Sequence, residues 1–237
     1  MSEAELINVI TEYIKIQILE NHKISSLSKH SKLKNYKINP IIVKYLSKVL
    51  EDDFTPLGIA KALYYPRVLS TSINTSFGTM IQRMFVDLNL ASGSLIKGMD
   101  IEFTDKLDGR QKWCQLKSGP NTINSEDVRP LLKKFSNVTN LARTNSMNLN
   151  NSDLILGILY GEEDQISQHY RKIDEQYPVI IGQEFWHRLT GFPDFYNKLV
   201  SNLDSMILEL NTEDFFEIGY KELAKEVETS DLFDFKE

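Results

Sequence analysis

Two short stretches, MDIEF (99–103) and RQKWCQLK (110–117), flank an Asp108-Gly109 pair, and no other feature restricts the fold as much. Period-two alternation is the pattern of a strand whose two faces differ. Asp-Gly is a strong hairpin turn signal. An antiparallel strand pair is therefore predicted. Met99, Ile101 and Phe103 fall on one face with Cys114 and Leu116, and these apolar faces bury together. Asp100 and Glu102 fall on the other with Trp113, Gln115 and Lys117. Pairing across the turn brings Asp100, Glu102, Gln115 and Lys117 onto one surface.

Upstream, the periodicity is helical. Leu6, Ile7, Ile10, Tyr13, Ile14, Ile18 and Leu19 give a broad apolar face over residues 3–22. The polar, basic stretch 25–39 reads as a loop. A second helix starts at Pro40, and a third covers LGIAKALYYP and stops near Pro66. A fourth runs through TSFGTMIQRMFVDLNLA (75–91), with Phe77, Met80, Ile81, Met84, Phe85 and Leu88 on one side. Downstream of the hairpin, NSEDVRPLLKKFSNVTNLA is helical, with Asn124 or Ser125 as N-cap. DLILGILYG reads as a buried strand, and HYRKI and YPVIIG as two more. QEFWHRL and DFYNKLVSNLDSMILEL return to helix.

Composition sets the class. Of 237 residues, 41% are hydrophobic and 25% charged, as in globular proteins. No apolar run is long enough to span a bilayer, and MSEAELINVI lacks a signal-peptide pattern, so a cytoplasmic location is expected. One cysteine excludes an internal disulfide framework and a Cys-built zinc site. The net charge of −6 argues against a general nucleic-acid coat protein. The charge is unevenly placed, however. Residues 97–145 hold nine Lys/Arg against six Asp/Glu, and residues 1–50 hold eight Lys against four Glu. Residues 201–237 hold eleven acids against three Lys. A mildly basic centre suits DNA.

The Asp100…Gln115-x-Lys117 spacing suits phosphodiester hydrolysis. That reaction needs charge neutralised on the phosphate, a water deprotonated near neutral pH, and the leaving oxygen stabilised. Mg²⁺ on oxygen ligands supplies much of this, and a neighbouring Lys orients water and neutralises phosphate. Asp100 fits a metal ligand and Lys117 the Lys role. Gln115 offers only an amide oxygen where an acid is usual, and the Leu116 carbonyl is a further donor. The spacing alone is short and degenerate, and taken by itself it favours a charged outer face of a hairpin.

The flanking order, αβββαβ, is that of the PD-(D/E)XK nuclease core. ALYYPRVLSTSINTSFGTMIQ, QLKSGPNTIN, LGILYG with HYRKI, and GQEFWHRLTGFPDFY resemble type II restriction endonucleases of the PmeII type over roughly residues 40–200. The resemblance implies an α/β restriction-endonuclease-like fold, with a mixed central sheet flanked by helices and a mainly helical N-terminal region. It implies a Mg²⁺-dependent homodimer, Mn²⁺ substituting, that cuts both strands of duplex DNA at a short palindrome, with a GGNCC-like interrupted site as one form. A cognate DNA methyltransferase would be a genetic partner, and no membrane is involved. Carried over by position, Asp100 is the first acid, Gln115 the altered second position and Lys117 the lysine. Glu102 is a candidate replacement carboxylate, and Gln82 or Asp87 stands where a helper acid is often found. The expected divisions are a helical region 1–73 for dimerisation or DNA embrace, a nuclease core 74–211 and an acidic segment 212–237.

Ser118, Asn121, Thr122 and Asn124 follow Lys117 in a Gly119-Pro120 turn and are candidates for phosphate or base contact. The alternative is a self-bonded turn with a helix cap. Arg129, Lys133 and Lys134 lie on the next helix. Arg129 and Lys133, four apart, share a face and are candidate phosphate contacts, as is Arg171. The basic loop SKHSKLKNYK could track the DNA backbone or be merely solvated. His169 reads as structural, and Phe185, Trp186, Phe192, Phe195 and Tyr196 as core or dimer interface. Two rival functions stay open: a repair or recombination nuclease without strict sequence choice, and a non-catalytic DNA-binding regulator with a degenerate site. A weaker third, an acidic mimic, rests only on the C-terminal charge.

Overall fold

The computed structural model describes residues 1–146, 148–210 and 214–233. The chain divides into two compact units. One comprises Met1–Thr11 and Gly78–Ser205, the other Glu12–Phe77 and Met206–Glu237. Part of the acidic segment expected over 212–237 lies outside the described residues.

The first unit is built on a five-stranded mixed sheet of order β1-β2-β3-β4-β5. Its strands are β1 (Ser92–Gly93), β2 (Ile101–Thr104), β3 (Gln111–Lys117), β4 (Leu154–Ile158) and β5 (Val179–Ile181). β1, β2 and β3 pair antiparallel, with Ile101 opposite Cys114 and Glu102 opposite Trp113. β3, β4 and β5 pair parallel, with Gln115 beside Leu156 and Lys117 beside Ile158. A parallel neighbour requires a long crossover, which α6 (Ser125–Thr144) supplies. The αβββαβ order expected from the sequence is present, led by α5 (Ile73–Asp87).

Both faces of this sheet are covered. On one, Trp113, Leu154, Leu156 and Ile158 pack with Leu131, Phe135 and Val138 of α6 and with Tyr170 and Ile173. On the other, Phe103 meets Phe185 of α8 (Gly182–Thr190), and Phe85 of α5 meets Phe185 and Trp186. Trp186 stacks on Phe195 at the start of α9 (Phe195–Glu209). These aromatics are core, as expected of Phe185, Trp186 and Phe195. Gly157 marks how close the second layer comes: a Cβ there would stand 2.6 Å from the Phe185 ring and 2.9 Å from Cys114 Sγ.

Two expectations fail in this unit. HYRKI is not a strand but most of helix α7 (Gln168–Asp174). Its apolar members, Tyr170 and Ile173, are three apart and both buried, joined by Tyr177 in the same cluster, which is helical rather than strand spacing. Met99 lies ahead of β2, its N–H bonded to Ile96 O at 3.1 Å. It therefore escapes the alternation and packs in the Trp113 cluster.

The second unit is helical. α1 (Glu3–Tyr13), which belongs to the first unit as far as Thr11, runs into a π-helical stretch (Ile14–Glu20), then α2 (Asn21–Ser25) and a second π stretch (Ser26–His30). Within the stretch 25–39, residues 25–30 are thus helical where a loop was expected, while 31–39 are turn and loop around a short 3-10 turn, Leu33–Asn35. Serines of the helical part turn inward on the helix: Ser26 Oγ donates to His22 O at 2.8 Å and Ser28 Oγ to Ile24 O at 2.7 Å. Such i−4 back-bonding lets a polar sequence stay helical. Ser26, His30 and Ser31 are buried. α3 (Pro40–Glu51) is capped by Asn39, and α4 (Pro56–Pro66) by Thr55. Pro66 does not end the helix. With φ −63° and ψ −33° it passes into a π stretch, Arg67–Ser72, and then into α5. The helix widens there rather than stopping. Tyr64 is fully buried in this unit, edge-on to Phe216 and Tyr220 of α10 (Phe215–Glu228).

Candidate active site

Asp100 stands just before β2, where its N–H donates to Cys114 O at 2.9 Å. Its side chain turns back onto β3, and Oδ2 accepts the Leu116 N–H at 2.7 Å. Burial pushes the Asp100 carboxyl above the ordinary carboxylate value. The Leu116 N–H, Lys134, Lys117 and the Gln115 amide pull the other way without cancelling it. The structure therefore brings Asp100, Gln115 and Lys117 together, with Leu116 at their centre. Alternation along β3 puts Gln115 and Lys117 on one side, and the bond to the Leu116 N–H holds Asp100 against that strand.

Gln115 is buried on the α6 side of the sheet. Its Oε1 accepts a hydrogen bond from Lys134 Nζ of α6 at 3.0 Å, and its amide lies beside the Asp100 carboxylate. Lys117 lines a cleft of about 250 Å³ with Gly78, Gln82, Leu116, Ser118, Thr122 and Leu159. Gln82, on α5, thus shares the cleft with the strand lysine. Asp87 faces elsewhere, 3.5 Å from Arg83 Nε.

Glu102 is held differently. Its Oε1 accepts from Ser94 Oγ at 2.7 Å and from the Leu95 N–H at 3.3 Å, tying down the turn after β1. Among the described residues no cluster of three or more His, Cys, Asp or Glu side chains is arranged to hold a metal. The oxygens available around Lys117 include the Asp100 carboxylate, the Gln115 amide oxygen and the Leu116 carbonyl, beside the Gln82, Ser118 and Thr122 side chains of the cleft. In an extended strand the C=O of a residue projects to the same edge as its N–H, so the Leu116 carbonyl faces Asp100. This all-oxygen set, with one carboxylate, fits Mg²⁺, which is held by one or two carboxylates and keeps several waters.

The remaining expected residues separate into groups. Thr122 is in the cleft, its hydroxyl 2.8 Å from Tyr170 OH and donating to Gly119 O at 3.1 Å. Ser118 also lines it, and Asn121 is exposed. Asn124 is used as the N-cap of α6: Oδ1 accepts the Glu126 N–H at 2.8 Å, and Asp127 returns a bond to the Asn124 N–H at 2.9 Å. Arg129 and Lys133 line a different concavity, with Leu132, Ser136, Gln176 and Tyr177. Arg171 is exposed on α7.

The model of the type II restriction endonuclease EcoO109I family matches residues 8–211. The chain belongs to this family of type II restriction endonucleases. No curated protein matched the sequence. In this EcoO109I-family chain Leu116 and Lys117 line the cleft, and Asp100 bonds to the Leu116 N–H beside it. No helix among the described residues is long and apolar enough to cross a membrane.

One residue of this EcoO109I-family site was missed by sequence reading. The sequence places Lys134 beside Arg129 and Lys133 on the same helix without a role of its own. Its helical phase was the available signal. It lies three residues after buried Leu131 and four before buried Val138, on the flank of the apolar face rather than with the solvated pair.

Proposed function

We propose that the chain is a Mg²⁺-dependent endonuclease of the PmeII-type branch, cutting both strands of a short palindromic DNA site. The bond from the Leu116 N–H to the Asp100 carboxylate, beside a cleft lined by Leu116 and Lys117, carries this reading. Asp100 and the Leu116 carbonyl would hold the ion, with Gln115 beside them. Bound there, Mg²⁺ supplies Lewis-acid stabilisation of the phosphate and lowers the pKa of a coordinated water. Lys117 orients the attacking water and neutralises the phosphate. Ser118, Asn121 and Thr122 position the backbone, and Arg129, Lys133 and Arg171 contact phosphates further along the duplex. Asn124 contributes by capping α6.

A palindromic site is matched by a two-fold dimer. Support for a homodimer comes from α3, where Ile41, Ile42, Tyr45 and Val49 are 80%, 55%, 67% and 61% exposed. A contiguous exposed apolar patch marks a contact surface for a protein, membrane or ligand, and we assign this row to a second copy. The helical N-terminal region would then carry the dimer contacts, and a cognate methyltransferase would protect the host's own sites.

The test is digestion of plasmid DNA with Mg²⁺. Discrete limit fragments are expected, and Asp100→Ala and Lys117→Ala should each cut roughly 10²–10³-fold more slowly. A smear would point to a nuclease without sequence choice. Absence of cleavage by the wild type would leave only a DNA-binding regulator.

A further inference from the structure

The Lys134 side chain leaves α6, crosses Gly98 and ends on Gln115. Gly98 has φ +102°, and a Cβ there would stand 3.3 Å from Lys134 Cγ and 3.5 Å from its Cβ. Any larger residue would crowd the lysine stem, so the glycine leaves it a path to the strand. At the end of that path, Nζ donates to Gln115 Oε1 at 3.0 Å. The amide is thereby fixed, its oxygen to Lys134 and its NH₂ to the Asp100 side. The oxygen that would have served as the second metal ligand is thus shared with a built-in cation.

We propose that Lys134 is a positioning residue that sets the divalent-ion affinity of the site, acting through Gln115 as a competing internal cation. This rests on the reading of Asp100 as the metal-binding carboxylate. Gln115 is then a strut between an ammonium and a carboxylate, and Asp100 with the Leu116 carbonyl is the primary binding pair. A 2+ ion on Asp100 is repelled by the nearby ammonium and has only the remaining lone pair of Gln115 Oε1 to use. Lys134 therefore weakens binding and makes the site demand a high ion concentration. A lysine serving only to prop up α6 would have no such effect on affinity.

Lys134 is exposed apart from this contact, so its removal leaves the core intact. The experiment is titration of the full-length protein with Ca²⁺ alone, without DNA, by calorimetry. Lys134→Met is expected to tighten Ca²⁺ binding on the order of tenfold, from the loss of one nearby positive charge. Lys134→Arg, which keeps the charge and the donor, should stay near wild type. Asp100→Asn should abolish binding in the wild-type and Lys134→Met backgrounds. If Asp100→Asn abolishes binding but Lys134→Met leaves it unchanged or weaker, Lys134 is structural and only this inference fails. If Asp100→Asn leaves Ca²⁺ binding intact, or neither wild type nor Lys134→Met binds Ca²⁺, the metal-site reading fails with it.

Discussion

Asp153 carries a charge in a place that excludes water. It is 1% exposed and faces two cations, Arg110 and the buried Lys112. Lys112 Nζ lies 3.2 Å from Asp153 Oδ1 and 2.6 Å from Asp108 Oδ2. Burial alone would raise the Asp153 carboxyl. The bonds from Arg110, the Asn150 N–H and Lys112 overcome it and bring the pKa to about 2, against an ordinary 3.8. A depressed carboxyl stabilises the folded state fully above its unfolded value and loses that contribution as pH falls through the folded one. Wild-type melting temperature should therefore fall between pH 4 and 2, and Asp153→Asn should show a flatter profile over that window. At pH 7 the variant should be less stable by roughly 3 kcal/mol, since buried Lys112 loses a partner. Parallel melting profiles for the two proteins would assign the acid sensitivity to another group. Gln115 and Lys117 share a side of β3 that alternation made legible in sequence, and Asp100, just ahead of β2, reaches that strand through the Leu116 N–H. Asp153 was not legible, since nothing local marks a residue ahead of β4 as the partner of cations forty positions earlier. Glu102 shows the limit of alternation, which gives a side but not a partner; the Ser94 hydroxyl claimed it.

Among elements, α6 decides most about the site, because it crosses from β3 to β4 and carries Lys134. Its start is fixed by the reciprocal bonds of Asn124 and Asp127. Removing a cap of this type costs about 1 kcal/mol. Asn124→Ala should lower unfolding free energy by that amount in denaturant titration, whereas Asn124→Asp should preserve it. A large loss of DNA binding at unchanged stability would instead give Asn124 a direct contact. The helices with regular spacing were readable from their apolar positions. Two boundaries were not. Pro66 predicts a stop, yet the helix accommodates it by widening into Arg67–Ser72. Seven residues of α7 are too few for periodicity to separate helix from strand when Tyr and Ile, both good strand formers, supply the apolar positions.

For the whole molecule, the apolar row on α3 bears on assembly. If a second copy covers it, Tyr45→Glu should shift the protein from dimer to monomer in sedimentation, with no change in melting temperature at concentrations where both are monomeric. A wild-type monomer at working concentration would remove this assignment. The mixed sheet and its helical layers were legible as a class from segment order. The grouping of Glu12–Phe77 with Met206–Glu237 was not, because it depends on contacts between stretches separated by the entire nuclease core. That grouping also sets an order of maturation. The sheet-bearing unit needs nothing beyond Ser205, whereas the helical unit draws Leu223 and Val227 into the core around Ile59 and Tyr64. On the ribosome, where chains emerge from the N-terminus and units fold as they are completed, the cleft can assemble while the N-terminal helices still wait for α10. Their closure comes last, so any step that depends on that unit is delayed until after translation has passed the cleft-forming residues.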